Sequence, residues 1–435
     1  MDLEIFNKME SEVRGYIRSF PVIFNNAHGS ILTDEAGRDY VDFFSGAGTL
    51  NYGHNDPGMK QALIDYIGQD GVVHGLDMAT TAKKRFLETF SDVVLAPRAM
   101  NYTLQFTGPT GTNAVEAALK LARQVKQRSH VVAFTHGFHG VSAGSLAATA
   151  NSKFRQAAGV TLDNVTFMPF DGYMGEGVDT LAYFRRLLED PSSGMDLPAA
   201  VIVETVQGEG GVNVASETWL KELEKLCRRF DMLLIVDDIQ VGCGRTGTFF
   251  SFEPSGIRPD IVTLSKSLSG FGLPMSLVLM KPELDIWKPG AHSGTFRGNN
   301  LAFVTATRAL EAFWATQDFS AQIQEKGKLV RARLEKIART RPQAGLGVRG
   351  RGLIHGMVAK ADPELAGQVA AKAFEHGLVI ETSGARDEVL KLLPALTIDR
   401  DVLLKGLDII EQSLDEVLAE RGDTARVLKF GGAKS

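Results

Sequence analysis

The chain of 435 residues has only two cysteines, Cys227 and Cys243, too few for a disulfide framework. It also lacks a strong charge of either sign, because 47 Lys and Arg against 52 Asp and Glu give a formal net charge of −5. This balance argues against binding to nucleic acid or to an anionic membrane surface. No apolar run approaches the length of a membrane span, and residues 1–20 lack the apolar core of a signal peptide. We therefore expect a soluble, cytoplasmic protein.

Two short apolar runs in the middle of the chain each precede a reactive side chain. Residues 233–236 lead to Asp237, and residues 261–264 lead to Ser265 and Lys266. Both runs are bounded by Gly- and Pro-rich loops, which is typical of buried strands in a parallel sheet. Active sites in such sheets lie at the carboxyl ends of the strands. An acid and an amine at one edge suit pyridoxal phosphate, because its aldehyde bonds to a lysine and its ring nitrogen needs an acidic partner.

The order of the predicted elements favours an α/β fold. Strands are predicted at residues 131–134, 165–169 and 199–204, and helices at residues 179–189 and 216–230. Near the N-terminus we expect a short helix and an extended arm over residues 1–24, a hairpin over residues 31–44 and a glycine-rich loop over residues 45–57. In the C-terminal region we expect short strands at residues 352–358, 378–381 and 389–393. We expect a large, mostly parallel sheet domain and a smaller α+β domain, since the chain is long enough for two cores. The predicted division is an N-terminal segment packing with the small domain over residues 1–55, a large domain over 56–318, a small domain over 319–421 and a flexible tail over 422–435.

A loop of small residues precedes a long helix predicted at residues 113–127. Thr110, Gly111 and Thr112 lie where a helix presents free backbone N–H groups to an anion. We assign these three residues to a phosphate group. An ordinary Thr-capped helix explains the stretch better when it is taken alone.

Two other predicted strand ends carry aromatic or acidic side chains. Phe138 stands between glycines, where an aromatic ring could stack on a flat ligand. His136 and His139 flank it, but no third ligand stands at a recognisable spacing, so we predict no metal site. Glu204 and Glu209 could contact a substrate, and solvated loop acids explain them equally well.

A rival hypothesis comes from residues 242–247, which match the G-x-G-x-x-G pattern of dinucleotide-binding proteins. Asp260 follows the glycines at a sequence separation that is acceptable for the ribose-binding acid of this pattern. That pattern needs a helix opening at the glycines, whereas residues 248–254 have no helical pattern. We therefore reject a nicotinamide- or flavin-dependent oxidoreductase.

Several short motifs stand in a fixed order between about Gly29 and Ile398. They are Gly53-His54 with Pro57, Thr110-Gly111-Thr112 before residues 114–120, Phe138-His139-Gly140, Gln207-Gly208-Glu209, Asp237-Asp238-Ile239-Gln240 with residues 244–247, Ser265-Lys266, and Gly294-Thr295-Phe296. This set resembles the class III (subgroup II) aminotransferases of PLP-dependent fold type I. The number of separate motifs makes the resemblance specific.

The resemblance implies roles for these residues toward pyridoxal 5'-phosphate. Lys266 would bond to the cofactor and move a proton, and Asp237 would keep the ring nitrogen protonated. Phe138 and Ile239 would lie on opposite ring faces, and Gln240 at the ring oxygen. The implied cofactor contacts are Thr110, Gly111, Thr112, Phe138, His139, Glu204, Asp237, Ile239, Gln240, Lys266 and Thr295. Thr295 would reach the phosphate from a second subunit of a homodimer.

Within this family the chain is most similar to members that convert L-aspartate 4-semialdehyde and L-glutamate into L-2,4-diaminobutyrate and 2-oxoglutarate for ectoine biosynthesis. The similar stretches are residues 10–21, 264–270 and 285–300. The resemblance implies that Glu209 covers an arginine until the α-carboxylate of glutamate arrives. Here the expected arginine is Lys391, which binds carboxylate as a point charge and not as a bidentate fork. Arg297 is a further candidate for substrate contact.

Other functions stay open as alternatives. One group comprises ornithine, acetylornithine or 4-aminobutyrate transaminases, diaminobutyrate enzymes of siderophore or antibiotic synthesis, and aminomutases. Lys391 counts against the ornithine and aminobutyrate enzymes. A transcription regulator with an aminotransferase-like domain is another alternative, but residues 1–28 show no helix-turn-helix pattern. The sequence leaves open an assisting K⁺ ion and any assembly larger than a dimer.

Overall fold

The computed structural model describes residues 3–431, with side chains described for residues 3–421. In this part of the chain the strands are β1 (Phe24–His28), β2 (Ile31–Asp34), β3 (Asp39–Asp42), β4 (Thr103–Phe106), β5 (Val131–Phe134), β6 (Val165–Met168), β7 (Ala200–Val203), β8 (Val206–Gln207), β9 (Asn213–Val214), β10 (Leu233–Asp237), β11 (Ile261–Leu264), β12 (Leu277–Met280), β13 (Gly347–Arg351), β14 (Ile354–Val358), β15 (Leu378–Val379), β16 (Glu381–Ser383) and β17 (Val389–Leu392).

The α-helices of the described residues are α1 (Glu4–Met9), α2 (Tyr16–Ser19), α3 (Ser45–Gly48), α4 (Pro57–Gly68), α5 (Thr81–Thr89), α6 (Gly111–Lys126), α7 (Ala143–Ala147), α8 (Ser152–Arg155), α9 (Thr180–Glu189), α10 (Glu217–Arg229), α11 (Asn300–Phe313), α12 (Asp318–Thr340), α13 (Glu364–Glu375) and α14 (Arg400–Gly431). Side chains cap several of these helices. Asp56 accepts from the Met59 N–H before α4, and Ser216 accepts from the Trp219 N–H before α10. No helix of the described chain has the length and apolar character that a membrane crossing requires.

The main sheet has seven strands in the order β4-β12-β11-β10-β7-β5-β6. Strands β11, β10, β7, β5 and β6 run parallel, whereas β12 is antiparallel to both of its neighbours. The predicted large, mostly parallel sheet is therefore confirmed. Its parallel strands place the ends of β10 and β11 at one edge.

Both faces of this sheet are covered, which explains why its strands are continuous apolar runs. Ile235 and Ile202 pack on the face that carries the alanines and leucines of α6, including Leu121. Val236 and Val203 point to the opposite face and join the larger core. Full burial of one such side chain contributes about 1.5–3 kcal/mol, so the strand positions are strongly determined.

Two smaller sheets combine segments that are distant in the sequence. One has the order β13-β14-β17-β16, and the other has the order β1-β2-β3-β15. In the second, β3 of the N-terminal hairpin pairs in parallel with β15, more than 330 residues later. Strand β1, which directly follows the predicted N-terminal arm, was not predicted, and it pairs with β2 of the hairpin.

Two predicted strands of the C-terminal region were wrong in their extent. Residues 352–358 were expected to form one strand, but Gly352 and Leu353 make the turn between β13 and β14. Gly352 has φ +59°, which allows this tight reversal. Residues 378–381 were also expected to be one strand, but they divide between β15 and β16 of different sheets.

A buried arginine joins three parts of the chain. Arg245, in the loop after β10, is fully buried. Its guanidinium donates to Asn51 Oδ1 at 2.6 Å, to the Leu353 carbonyl at 2.9 Å and to the Pro394 carbonyl at 2.5 Å. The segment around it forms turns and a 3-10 helix at Glu253–Ser255, so no helix opens at the glycines of residues 242–247, as predicted.

The end of the chain forms α14, which continues to Gly431. The predicted flexible tail, residues 422–435, falls on the last part of this helix and on residues 432–435. Residues 432–435 and the side chains from residue 422 onward lie outside the description.

Candidate active site

Strand ends bring Asp237 and Lys266 to one edge of the main sheet. Asp237 is the last residue of β10 and pairs in register with Thr263 of the parallel strand β11. Lys266 follows β11 at the start of a 3-10 helix and has φ +46°. A left-handed backbone at a non-glycine residue costs energy and persists only where the surroundings hold it. The fold therefore directs the lysine amine toward the edge where the acid lies.

Asp237 is 4% exposed and uses both carboxylate oxygens. Its Oδ2 lies 2.7 Å from His139 Nδ1, and its Oδ1 accepts from the Ile239 N–H and the Thr263 hydroxyl, each at 3.2 Å. Burial alone would lower the pKa of His139, but the hydrogen bond and the charge of Asp237 raise it above its ordinary value. The raised pKa favours a protonated imidazole, which would place positive charge against Asp237 Oδ2.

The Lys266 amine lies against a backbone carbonyl from the N-terminal part of the chain. Its Nζ donates to the Ala47 carbonyl at 2.9 Å, and this oxygen also accepts from Gln240 Nε2 at 3.0 Å. Burial lowers the pKa of Lys266, and the nearby ammonium of Lys391 adds to the effect, while Glu209, Glu381 and Asp237 oppose it. The amine is thereby made easier to deprotonate, which activates it as a nucleophile.

The N-terminus of α6 forms a small cradle near this edge. Thr110 caps the helix and is paired with Asn113, so Gly111 and Thr112 occupy its first turn. The first N–H groups of a helix have no acceptor within it and can bind an anion. A Cβ at Gly111 would lie 3.0 Å from Ile239 Cδ1, which shows how closely the residue after Asp238 approaches the cradle.

Hydroxyl groups extend this cradle. Thr112 Oγ1 lies 2.7 Å from Ser142 Oγ, which donates to Glu116 Oε1 at 2.7 Å. The Glu116 carboxylate also accepts from the Gly144 N–H at 2.9 Å. Ser142 was not among the predicted residues, because it follows no strand end and belongs to no recognised motif.

Glu204 supports the loop that carries Phe138. Its Oε2 accepts from the Phe138 N–H at 2.9 Å, and the ring of Phe138 packs edge-on against Phe154. Burial, with the charge of Asp237 adding to it, raises the pKa of Glu204 to about 8. Glu204 therefore positions the backbone before His139.

A second charged cluster surrounds Lys391. Its Nζ lies 2.6 Å from Glu209 Oε1 and 3.0 Å from Glu381 Oε1, and its side chain is fully buried. Gln240 Nε2 donates to Glu209 Oε1 at 2.8 Å. Burial would raise the pKa of Glu209, but Lys391, Lys266 and the hydrogen bond from Gln240 lower it to about 2. Glu209 is thus ionised and covers the lysine.

Two of the predicted contacts lie apart from these clusters in the single chain. Thr295 is exposed, next to Phe296, which is 65% exposed. Arg297 donates to the His292 carbonyl at 2.6 Å and lies 3.9 Å from Asp77. Within the described chain these contacts hold Arg297 in its own loop.

The donor and acceptor groups fit pyridoxal phosphate. The anion cradle could hold the phosphate, the amine could bond to the aldehyde, and the buried carboxylate could face the ring nitrogen. Gln240 Oε1 is buried and has no hydrogen-bond partner among the described residues. Such an atom is expected where a ligand completes the hydrogen bonding. A cavity of about 360 Å³ opens beside Phe138 and Glu209, large enough for a small substrate.

Comparison with known proteins agrees with this chemistry. The model of the family described as "Aminotransferase class-III" matches residues 14–414. The diaminobutyrate–2-oxoglutarate transaminase of Bordetella parapertussis is 73% identical over 434 residues, covering 100% of both chains. The transaminase of the same name from Wolinella succinogenes is 58% identical, covering 96% of this chain and 97% of that one.

A solved structure supports the fold. The ornithine aminotransferase from Toxoplasma gondii, with partial occupancy of PLP at its active site, aligns with a TM-score of 0.83 and 26% identity. The alignment covers 97% of this chain and 96% of that chain. The predicted fold type, a large mostly parallel sheet with a smaller sheet region, is thereby confirmed.

Proposed function

The chain belongs to the class-III aminotransferases, and from this membership we propose that it makes L-2,4-diaminobutyrate and 2-oxoglutarate from L-aspartate 4-semialdehyde and L-glutamate. The observation that carries this substrate pair is the end-to-end similarity to the Bordetella parapertussis transaminase. The covered Lys391 adds support, because a site that serves both an ω-amine and an α-amino acid needs a carboxylate contact that can be hidden. We place the product in ectoine biosynthesis.

The cofactor is pyridoxal 5'-phosphate, whose aldehyde bonds to amines and whose ring accepts electrons from a deprotonated carbon. Lys266 Nζ holds this aldehyde and moves a proton at the reacting carbon. Asp237 presents its negative charge to the ring nitrogen, and His139 supports that charge from behind. Phe138 and Ile239 would enclose the ring between them, and Gln240 would bind the ring oxygen.

The N-terminus of α6 would hold the cofactor phosphate. Thr110, Gly111 and Thr112 supply backbone N–H groups and hydroxyls, and Glu204 positions the loop of Phe138. We propose a homodimer in which Thr295 of the partner subunit completes this cradle. The exposure of Thr295 and Phe296 in the single chain supports that assignment.

The proposed enzyme works in the cytoplasm on small molecules, without nucleic acid or a membrane as partner. We also propose the division into residues 1–55, 56–318 and 319–421. The main sheet lies within the second range, and the pairing of β3 with β15 supports packing of the N-terminal segment on the third.

The substrate pair is tested with the purified holoenzyme supplied with L-glutamate and L-aspartate 4-semialdehyde. We expect diaminobutyrate and 2-oxoglutarate in equal amounts, measured by chromatography. Reaction of ornithine or 4-aminobutyrate alone would contradict the proposal. Amino transfer within one molecule, without a keto acid, would identify an aminomutase.

Replacement of Lys391 by glutamine is expected to separate the two half-reactions. Glutamine can still hydrogen-bond to Glu209, but it cannot offer a charge to the α-carboxylate of glutamate. Because loss of one partner of a buried charge pair costs about 2–5 kcal/mol, we expect KM for glutamate and 2-oxoglutarate to rise about 100-fold. The half-reaction with diaminobutyrate, followed separately by stopped flow, should change far less. An equal loss in both half-reactions would show that Lys391 serves only stability.

A further inference from the structure

One buried ammonium is paired with two carboxylates of different character. Lys391 makes its hydrogen bond to Glu209 at 2.6 Å. Glu381 Oε1 lies 3.0 Å from the same nitrogen, but it has no hydrogen-bond partner among the described residues. The contact with Glu381 is an ion pair of longer and less direct geometry than the contact with Glu209. Glu381 contributes its charge, whereas Glu209 contributes a directed bond.

The two carboxylates also differ in how firmly the fold holds them. Glu381 lies in β16 directly opposite Lys391 of β17, and it is 8% exposed. The Tyr16 hydroxyl donates to its Oε2 at 3.4 Å. Glu209 lies in a loop between Gly208 and Gly210, and a quarter of its side chain is exposed. Only Glu209 is placed to withdraw.

A lysine at this position needs a permanent counter-charge to stay protonated, whereas an arginine would not. A guanidinium stays protonated in any protein surroundings, whereas a buried lysine without a counter-charge can lose its proton near neutral pH. When Glu209 withdraws, Lys391 would be left fully buried and unpaired if Glu209 were its sole partner. A neutral amine would then face the incoming carboxylate.

We propose that Glu381 is the permanent counter-carboxylate of Lys391, which keeps this ammonium charged while Glu209 gives way to the α-carboxylate of the amino donor. Glu381 is a positioning residue that acts through Lys391. The inference rests on the proposed function, because it assigns the α-carboxylate to Lys391. It explains how a lysine serves where the family resemblance implies an arginine.

The charged and titratable groups facing Lys391 come from four parts of the chain. They are Glu209 from the loop after β8, Glu381 from β16, Lys266 from the loop after β11 and Tyr16 from α2. Burial lowers the pKa of Lys391, but Glu209 and Glu381 together raise it above its ordinary value. Burial and the charge of Glu209 raise the pKa of Glu381, and the ammonium of Lys391 opposes them. With both carboxylates neutralised, burial dominates and the pKa falls. Binding a substrate carboxylate then requires uptake of a proton, so affinity falls as pH rises.

The test compares the holoenzyme of Glu209→Gln with that of the double variant Glu209→Gln/Glu381→Gln. The apparent Kd for L-glutamate is measured from the absorbance change on mixing, between about pH 6.5 and 8.5. We expect the Kd of the double variant, divided by the Kd of Glu209→Gln, to rise by up to about 10-fold per pH unit. The reason is that glutamate binding is coupled to uptake of one proton only in the double variant. The titration of free glutamate is common to both variants. Loss of Glu381 also changes the electrostatics of Lys266, and the Lys391→Arg variant below separates that effect from one at Lys391. A flat ratio would overturn the proposal.

Two further variants identify the group that takes up the proton. Glu388→Gln in the Glu209→Gln background is the matched control, because the Glu388 carboxylate accepts from the Arg386 N–H at 2.8 Å and serves a neighbouring loop. It should leave the ratio flat. Adding Lys391→Arg to the double variant should also flatten it, since arginine stays charged without a partner. A slope that survives this change would overturn the assignment to Lys391.

Should the double variant fail to retain cofactor, Glu381→Gln alone gives the answer. Its glutamate half-reaction should decline at lower pH than in the unmodified enzyme, and Glu381→Asp, which keeps the charge, should restore the original profile. Unchanged profiles would overturn the proposal. A failure of the proposed function is distinguishable, because diaminobutyrate would not form although glutamate still reacts.

Discussion

Replacement of Lys266 by alanine is expected to lower the rate of transamination by about 10⁴-fold or more. The variant loses both the amine that holds the cofactor and the group that moves the proton, and each contribution is large. The loss is measured as product formation from glutamate and aspartate semialdehyde. Borohydride reduction followed by mass spectrometry of the Lys266 peptide should fix the cofactor to the unmodified chain and not to the variant.

Lys281 offers a matched control for this loss. It is also a lysine near the end of a main-sheet strand, but its amine pairs with Asp260 at 2.7 Å. Lys281→Ala should keep most of the activity. Partial recovery of the Lys266→Ala variant by added methylamine would support the assigned proton transfer. Turnover that survives Lys266→Ala would contradict the whole assignment of the site.

Replacement of Asp237 by asparagine is expected to lower kcat by about 10³-fold. The change keeps the shape of the side chain but removes the negative charge that would balance the cationic pyridine ring. Electrostatic groups of this kind typically contribute about 10²–10³-fold or more to kcat. The pKa of His139 should fall at the same time, since the charge and hydrogen bond of Asp237 raise it. Steady-state kinetics and an NMR titration of His139 measure the two effects.

The neighbouring carboxylate, Asp238, provides a control that separates an effect on catalysis from an effect on folding. Asp238 is fully buried and accepts from the Ser251 N–H at 3.0 Å, whereas Asp237 contacts His139. Burial raises the pKa of Asp238 to about 7, so an asparagine there resembles the protonated side chain. Asp238→Asn should therefore change kcat by less than about 10-fold. Equal losses in the two variants would show that Asp237 acts only on folding.

The sequence predicted the elements whose pattern is local. Strands β10 and β11 were predictable because a strand buried on both faces is a continuous apolar run. The same argument failed at residues 378–381, because Leu378, Val379 and Ile380 are apolar without marking where the chain passes from one sheet to the next. Burial determines composition, whereas the bend depends on partners elsewhere in the chain.

The site divides in the same way. Asp237 and Lys266 could be placed together because each follows a strand of one sheet, and parallel strands end at a common edge. The sequence could not predict that three other groups lie at the site, because tertiary packing brings each of them there. They are the Ala47 carbonyl, Ser142 and Glu381. Ser45–Gly48 showed only a glycine-rich loop, and Glu381 stood at the end of an apolar run. No spacing rule links these residues to the lysine.

The pairing of β3 with β15 has a consequence for how the chain leaves the ribosome. At about 5–20 residues per second, roughly 15–70 seconds pass between synthesis of the N-terminal hairpin and that of its partner strand. During this time the free edge of β3 is open to pairing with other nascent chains. Newly made protein should accordingly depend on chaperones until translation has passed residue 379.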